Sequence, residues 1–330
     1  VWARAGPRLF NVRKYIARRI LLFIPTLAGV SIGVFLLLRV IPGDVAQVIL
    51  AGPSGEASYT LQDVEELREK LGLNDPLYLQ YGNWVSDLVR GDLGTSFATR
   101  RPIAQELKRQ FPVTLQLAFF TMVVVSLIAI PIGVLAAVKQ DSAADYILRG
   151  IAILGLAAPT FFVGLVVVLV VSRYIGWLPP LGYVHIWDQP FKGFQQLIFP
   201  ALVLGFSSNG LLLRMTRTQL LEVLREDYVR TARSKGLSEN VVIVRHAMRN
   251  ALLPVVTVGG LQLGGLFTGA VIVETIFNLP GIGRGLIQGV FSRDLPLIEA
   301  YIMYFAVVAL VANLLVDLTY AWLDPRIRYE

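Results

Sequence analysis

Hydrophobic residues in this chain come in six long runs. Stretches free of Asp, Glu, Lys and Arg cover Ile20–Leu38, Val113–Val138, Gly150–Ser172, Gly193–Leu213, Asn250–Val273 and Ala300–Val316. At helical rise, a hydrocarbon core about 30 Å thick is crossed by roughly 20 apolar residues. Five runs reach or approach that length. The sixth is shorter, and beyond Asp317 the residues Leu318, Tyr320, Ala321, Trp322 and Leu323 can carry it to the headgroups. Buried helices of water-soluble proteins give apolar runs of only about 10–14 residues. The pattern predicts an all-α integral membrane protein with six transmembrane helices.

The segments between the runs have their own signals. In the long loop 42–111, Thr60 and Asp63 have the spacing of a capping box, and Gly72 is placed to close a helix carrying Leu61, Val64, Leu67 and Leu71. Asp75-Pro76 resembles an N-cap followed by proline at the first helical position. Leu77, Tyr81, Trp84, Val85 and Leu88 then recur at helical spacing. Short amphipathic helices are expected there. The loop 214–249 should hold a helix over Gln219–Lys235, stopped by Gly236, and a second helix over Val241–Asn250 leading into the fifth span. In that span Gly260/Gly264 and Gly265/Gly269 have small-xxx-small spacing, which serves close helix packing or a pathway wall.

Charge sets the expected topology. Only 16% of the 330 residues are charged, against about 25% in soluble domains. Residues 1–19 carry Arg4, Arg8, Arg13, Lys14, Arg18 and Arg19 and no acid. With that end cytoplasmic, alternation also makes 139–149, 214–249 and 317–330 cytoplasmic. These four segments hold 18 Lys/Arg against 9 Asp/Glu, and the remainder holds 12 against 14. The two sides then carry +9 and −2, which together make the chain's +7. Basic loops stay inside, so both termini are expected in the cytoplasm. The excess of positive charge reflects topology, with no nucleic-acid partner. The first run has a basic flank, yet it is too long for a typical signal-peptide core and lacks a clear cleavage site, so it is expected to be retained.

Catalytic constellations are missing from the sequence. No Gly-Lys pair occurs, which rules out a P-loop for ATP. The two histidines, His185 and His246, are far apart and outside the runs, and cysteine is absent, so no metal site or disulfide is expected. Arg39, Arg173, Glu274, Glu299 and Asp317 all fall at span ends, which leaves no mid-membrane acid for an ion-coupled relay.

Several segments in order resemble one family. These are Tyr15-Ile-Ala-Arg-Arg-Ile-Leu-Leu-Phe-Ile-Pro-Thr26 with Ile41-Pro-Gly-Asp44, then Gly72-Leu-Asn-Asp-Pro-Leu-Tyr-Leu-Gln-Tyr81 with Trp84, then Gly91-Asp-Leu-Gly-Thr-Ser96. Val273-Glu-Thr-Ile-Phe-Asn-Leu-Pro-Gly-Ile-Gly-Arg284 and Asp324-Pro-Arg-Ile-Arg328 complete the set. Over essentially its whole length the chain resembles the B-type permease subunits of dipeptide/oligopeptide/nickel ABC importers. Asp227-Tyr-Val-Arg-Thr-Ala-Arg-Ser-Lys-Gly236, followed by Arg245-His-Ala-Met-Arg-Asn-Ala-Leu-Leu-Pro254, is similar to that family's EAA-type coupling motif. Arg230, Thr231 and Ala232 stand where the generic motif has Glu-Ala-Ala.

The resemblance implies a type I importer fold in which the first helix (1–41) wraps a core at 112–323, with a cytoplasmic tail at 324–330. It implies an ATPase-coupling site at Asp227, Tyr228, Arg230, Thr231, Ala232, Arg233, Ser234, Lys235 and Gly236. Ala232 and Ser234 would give room for close approach, Arg230, Arg233 and Lys235 would pair across the interface, and Gly236 would supply the exit. The implied partners are a second, C-type six-span permease, two ABC ATPases that bind ATP and Mg, and an extracytoplasmic solute-binding protein. That protein would meet the long loop, 173–192 and 274–299. The place is a bacterial or archaeal inner membrane. Peptides are the expected cargo, with oligosaccharides or nickel as alternatives, and a stand-alone carrier or channel is the competing reading. No enzymatic activity is expected of the chain itself.

Overall fold

A computed structural model describes residues 12–40, 44–51 and 59–323. Arg4, Arg8, the Ile41-Pro-Gly part of its motif and the tail 324–330 with Asp324-Pro-Arg-Ile-Arg328 lie outside the described residues. The elements are α1 (Val12–Val40), α2 (Val45–Ala51), α3 (Leu61–Lys70), α4 (Leu77–Arg90), α5 (Ile103–Val138), α6 (Ala143–Ala157), α7 (Thr160–Tyr174), α8 (Pro190–Val223) and α9 (Asp227–Ser234). They continue with α10 (Glu239–Val241), a π-helical turn (Val242–Ala247), α11 (Met248–Ile276), α12 (Ile282–Phe291) and α13 (Leu295–Leu323). Among the described residues the only β pairing is one isolated bridge, Thr95 to Pro102.

Five helical stretches are long and apolar enough to cross a bilayer: Ala17–Val40, Ile103–Val138, Pro190–Val223, Glu239–Ile276 and Leu295–Leu318. The third run, Gly150–Ser172, departs from the straight span expected. It is split into α6 and α7, bent by 110°. The cause lies at Ala158, which is extended (φ −76°, ψ 127°) because a following proline disfavours helical backbone. Pro159 also has no N–H to continue the ladder.

Helices α5, α8 and α11 form the core, with Leu117, Leu197, Ala201, Ala270 and Val273 fully or almost fully buried between them. Helix α6 lies antiparallel on α8 at backbone contact. A Cβ on Gly155 would stand 2.6 Å from the Phe206 carbonyl, and one on Gly210 would collide with that of Ala152. In lipid, where no hydrophobic force joins helices, such close approach supplies the packing energy. Asp145 closes this pair, accepting from Arg217 Nε at 2.8 Å and Nη2 at 2.7 Å while fully buried. Helix α1 packs on α13 and α4, and Arg19 pairs with Asp317 at 2.5 Å.

In the long loop, Thr60 and Asp63 form the expected capping box on α3, and Gly72 follows it with φ +64°. Asp75 does not cap α4. That helix starts at Leu77, with Pro76 as the flanking residue and no side-chain cap.

Candidate functional site: the elbow between two spans

The elbow is built from a short helix between α8 and the span Glu239–Ile276. Instead of one helix over Gln219–Lys235, the chain leaves α8 at Leu224, turns, and restarts at Asp227 after an extended Glu226 (φ −69°, ψ 147°). Asp227 then sits in the first turn of α9, where an acid complements the helix dipole. At the other end Gly236 has φ +78° and its N–H donates to the Arg233 carbonyl. That left-handed conformation costs any residue with a Cβ, so glycine is the fitting stop. The next helix begins at Glu239 and passes into a π-helical turn that holds Arg245 and His246. Sequence reasoning missed this turn, because one extra residue per turn leaves no compositional mark.

Helix α9 has two unlike faces. Val229 and Ala232 point inward and are buried with Val242 against Val223 and Leu224. Ala232, expected to give room to a partner, is therefore spent on the chain's own packing. Two polar ties add to it. The Tyr228 hydroxyl accepts from Asn250 Nδ2 at 2.9 Å, and Arg233 Nε donates to Glu239 Oε1 at 2.8 Å. Arg233 is thus paired within the chain.

On the outward face Asp227 and Arg230 have side chains 95% and 77% exposed, and their 3.4 Å ion pair contributes little in water. Thr231, Ser234 and Lys235 share that exposure. The Thr231 and Ser234 hydroxyls are occupied by the Asp227 and Arg230 carbonyls. The result is a charged surface fixed rigidly to the start of a span.

The four glycines at small-xxx-small spacing in α11 divide among three surroundings. A Cβ on Gly260 would lie 3.1 Å from Val316 and one on Gly264 would lie 3.6 Å from Asn313 Oδ1, both on α13. Gly269 faces Leu204 of α8, at 2.7 Å. Gly265 meets nothing within 4 Å and opens away from the chain. Exposed Leu261, Thr268 and Ile272 lie on that same face at helical spacing.

The far end of α11 carries a lock that sequence reasoning did not find. Glu274 is fully buried, and its carboxylate accepts from Thr114 Oγ1 at 2.6 Å and from the Arg284 N–H at 3.1 Å. Thr114 Oγ1 in turn accepts from the Ile282 N–H at 2.9 Å. A Cβ on Gly281 would collide with the Glu274 carboxylate, and one on Gly283 with Val271. The loop before α8 is pinned beside it. Gln116 Oε1 accepts from the Tyr183 hydroxyl at 3.1 Å and the Ile186 N–H at 3.0 Å, and its amide nitrogen meets His185 Nδ1 at 2.8 Å. Asn278 Nδ2 donates to the Pro180 carbonyl at 3.0 Å.

Comparison with known proteins places this arrangement. The family described as "Binding-protein-dependent transport system inner membrane component" matches residues 129–329, and its N-terminal companion matches residues 12–118. The chain belongs to that family. The dipeptide transport system permease protein DppB of Alkalihalophilus pseudofirmus is 40% identical over 335 residues, covering 96% of this chain and 99% of the relative. The glutathione transport system permease proteins GsiC of two Escherichia coli strains are 42% (O6:H1) and 41% (K12) identical over 316 residues, with the same coverage. The resemblance read from the sequence is thereby confirmed. The chain is a multi-pass membrane component of an ABC transport system, a transport subunit rather than an enzyme.

Proposed function

We propose that this chain is the permease half of an ATP-driven importer of short peptides, and that α9 is the element through which separate ATPase subunits move it. The observation that carries the reading is the two-faced elbow. Its apolar face is clamped to the span Glu239–Ile276, and its charged face, Asp227, Arg230, Thr231, Ser234 and Lys235, is exposed and, among the described residues, makes its polar contacts only within α9. A rigid helix fixed at one side and unpartnered at the other transmits displacement.

In this reading both termini and the elbow are cytoplasmic, in agreement with the excess of Lys and Arg on that side. Two ATPases hold ATP and Mg. A second, homologous C-type permease completes the path across the open Gly265 face, and an extracytoplasmic binding protein delivers cargo to the opposite end. The location is the inner membrane of a bacterial or archaeal cell. ATPase closure rocks the spans between inward-open and outward-open states. The named cargo of the relatives, dipeptides and glutathione, supports short peptides for this chain.

The test is reconstitution with the neighbouring ATPases, second permease and binding protein, followed by uptake of labelled dipeptides. Uptake should require ATP and the binding protein. Transport by the chain alone without ATP would overturn the reading, and ATP-driven uptake of an oligosaccharide but no peptide would replace the cargo.

A further inference from the structure

We propose that the crevice between α1, α4 and α13 is a binding site for one acyl chain of a membrane phospholipid. Its volume is about 480 Å³, within the roughly 300–1,000 Å³ of small-molecule sites. Ile24, Leu27 and Ala28 of α1 form one wall and Ala300, Met303 and Val307 of α13 the other. Val85, Leu88 and Val89 of α4 roof it. Of thirteen lining residues only Ser31, Tyr81 and Tyr304 carry a side-chain oxygen. Ser31 donates to the Ala28 carbonyl at 2.9 Å and lies 2.8 Å from the Tyr81 hydroxyl, so these two oxygens satisfy each other. A peptide segment placed there would lose its hydration and find little to bond.

Location decides the occupant. Both walls belong to stretches long and apolar enough to span a bilayer, Ala17–Val40 and Leu295–Leu318. The crevice opens beside an exposed apolar surface of α1, with Leu21 and Ile24 each 63% exposed. The surrounding medium is hydrocarbon, and an empty apolar crevice forfeits dispersion contacts that an entering chain restores. Helix α4 has no fully buried residue and exposes Val89 by 82% at the crevice edge. An amphipathic helix of this kind lies in the interface with its apolar side toward the acyl region. Arg90, the exposed last residue of α4, is a cation one position beyond Val89 that a headgroup phosphate can pair with.

The test uses the assembled transporter in lipid nanodiscs doped with a phosphatidylcholine that carries a diazirine midway along one acyl chain. After illumination, labelled residues are mapped by mass spectrometry, with exposed Leu165 and Leu169 of α7 reporting bulk lipid. Labelling around Ala28 and Val307 should exceed that on α7 several-fold. Ala28→Trp and, independently, Val307→Trp should bring it down to the α7 level. Equal labelling of crevice and α7 in the unmodified transporter overturns the proposal. So does undiminished crevice labelling in either variant, or attachment of the crevice residues to another protein chain under a bifunctional cross-linker. The readout is contact with lipid, so it stands or falls separately from the transport reading.

Discussion

Thr114 and Glu274, 160 residues apart, share a 2.6 Å hydrogen bond at the centre of a buried knot. Thr114 spends its proton on the carboxylate and its lone pair on the Ile282 N–H, while the same carboxylate takes the Arg284 N–H. The first turn of α12 is thus held by one side chain from α5 and one from α11, and the Glu274 carboxyl oxygens face the N-terminal end of the helix.

Glu274→Ala should lower the thermal midpoint of the purified complex. Each donor left buried without a partner costs about 1–3 kcal/mol. Gly283→Ala should act in the same direction by about 1–3 kcal/mol, because its methyl meets the Val271 backbone. Unchanged midpoints for both would remove the knot from the list of stabilising features.

Arg217→Ala strips the bidentate partner from Asp145, which is fully buried. Loss of one member of a buried pair costs about 3–5 kcal/mol. The lower end applies here, since Arg149 Nε stands 3.5 Å from the same carboxylate. Adding Asp145→Asn should recover part of the loss, and a double-mutant cycle on unfolding in detergent measures it.

Gly236→Val forces a β-branched residue to φ +78°, a penalty of roughly 1–2 kcal/mol. The strain should be relieved by re-aiming α9. ATP hydrolysis by the reconstituted complex should persist while uptake falls sharply, and Gly236→Asn should retain more uptake, since Asn tolerates the left-handed region. Full uptake with Val in place would mean that the elbow needs no fixed exit angle.

Asp63 gives a pH dependence outside the spans. The Thr60 backbone N–H, and after it the Thr60 hydroxyl, hold its carboxyl below the ordinary value of 3.8. A depressed value means that the cap contributes fully above the ordinary range and is lost as pH falls through the lowered one. Amide exchange in α3 should therefore accelerate on acidification below the usual carboxylate range. In Asp63→Asn that acceleration should vanish.

The spans were legible because lipid admits few charges, so boundaries at Arg39, Arg149 or Asp317 mark themselves. Gly236 was legible for a similar reason, being a lone glycine at the end of a polar helix. The gap at Leu224–Glu226 was not, since no glycine or proline announces it and tertiary packing of Val229 and Ala232 onto Val242 decides it. Ala158-Pro159 did carry a sign, but the charge-free window around it read as a single rod. Glu274 read as a boundary marker because its partner Thr114 lies on another helix.

The bend at Ala158 has a consequence for motion. Helix α6 is clasped to α8 through Gly155 and Gly210, whereas α7 leans on Ile276 and Val203 through Gly164. The last carbonyls of α6 find no ladder partner beyond Pro159, so the two halves share one covalent joint and no hydrogen-bonded continuity. Torsion applied at one membrane face is not obliged to reach the other, and the two mouths of the bundle are free to open out of step.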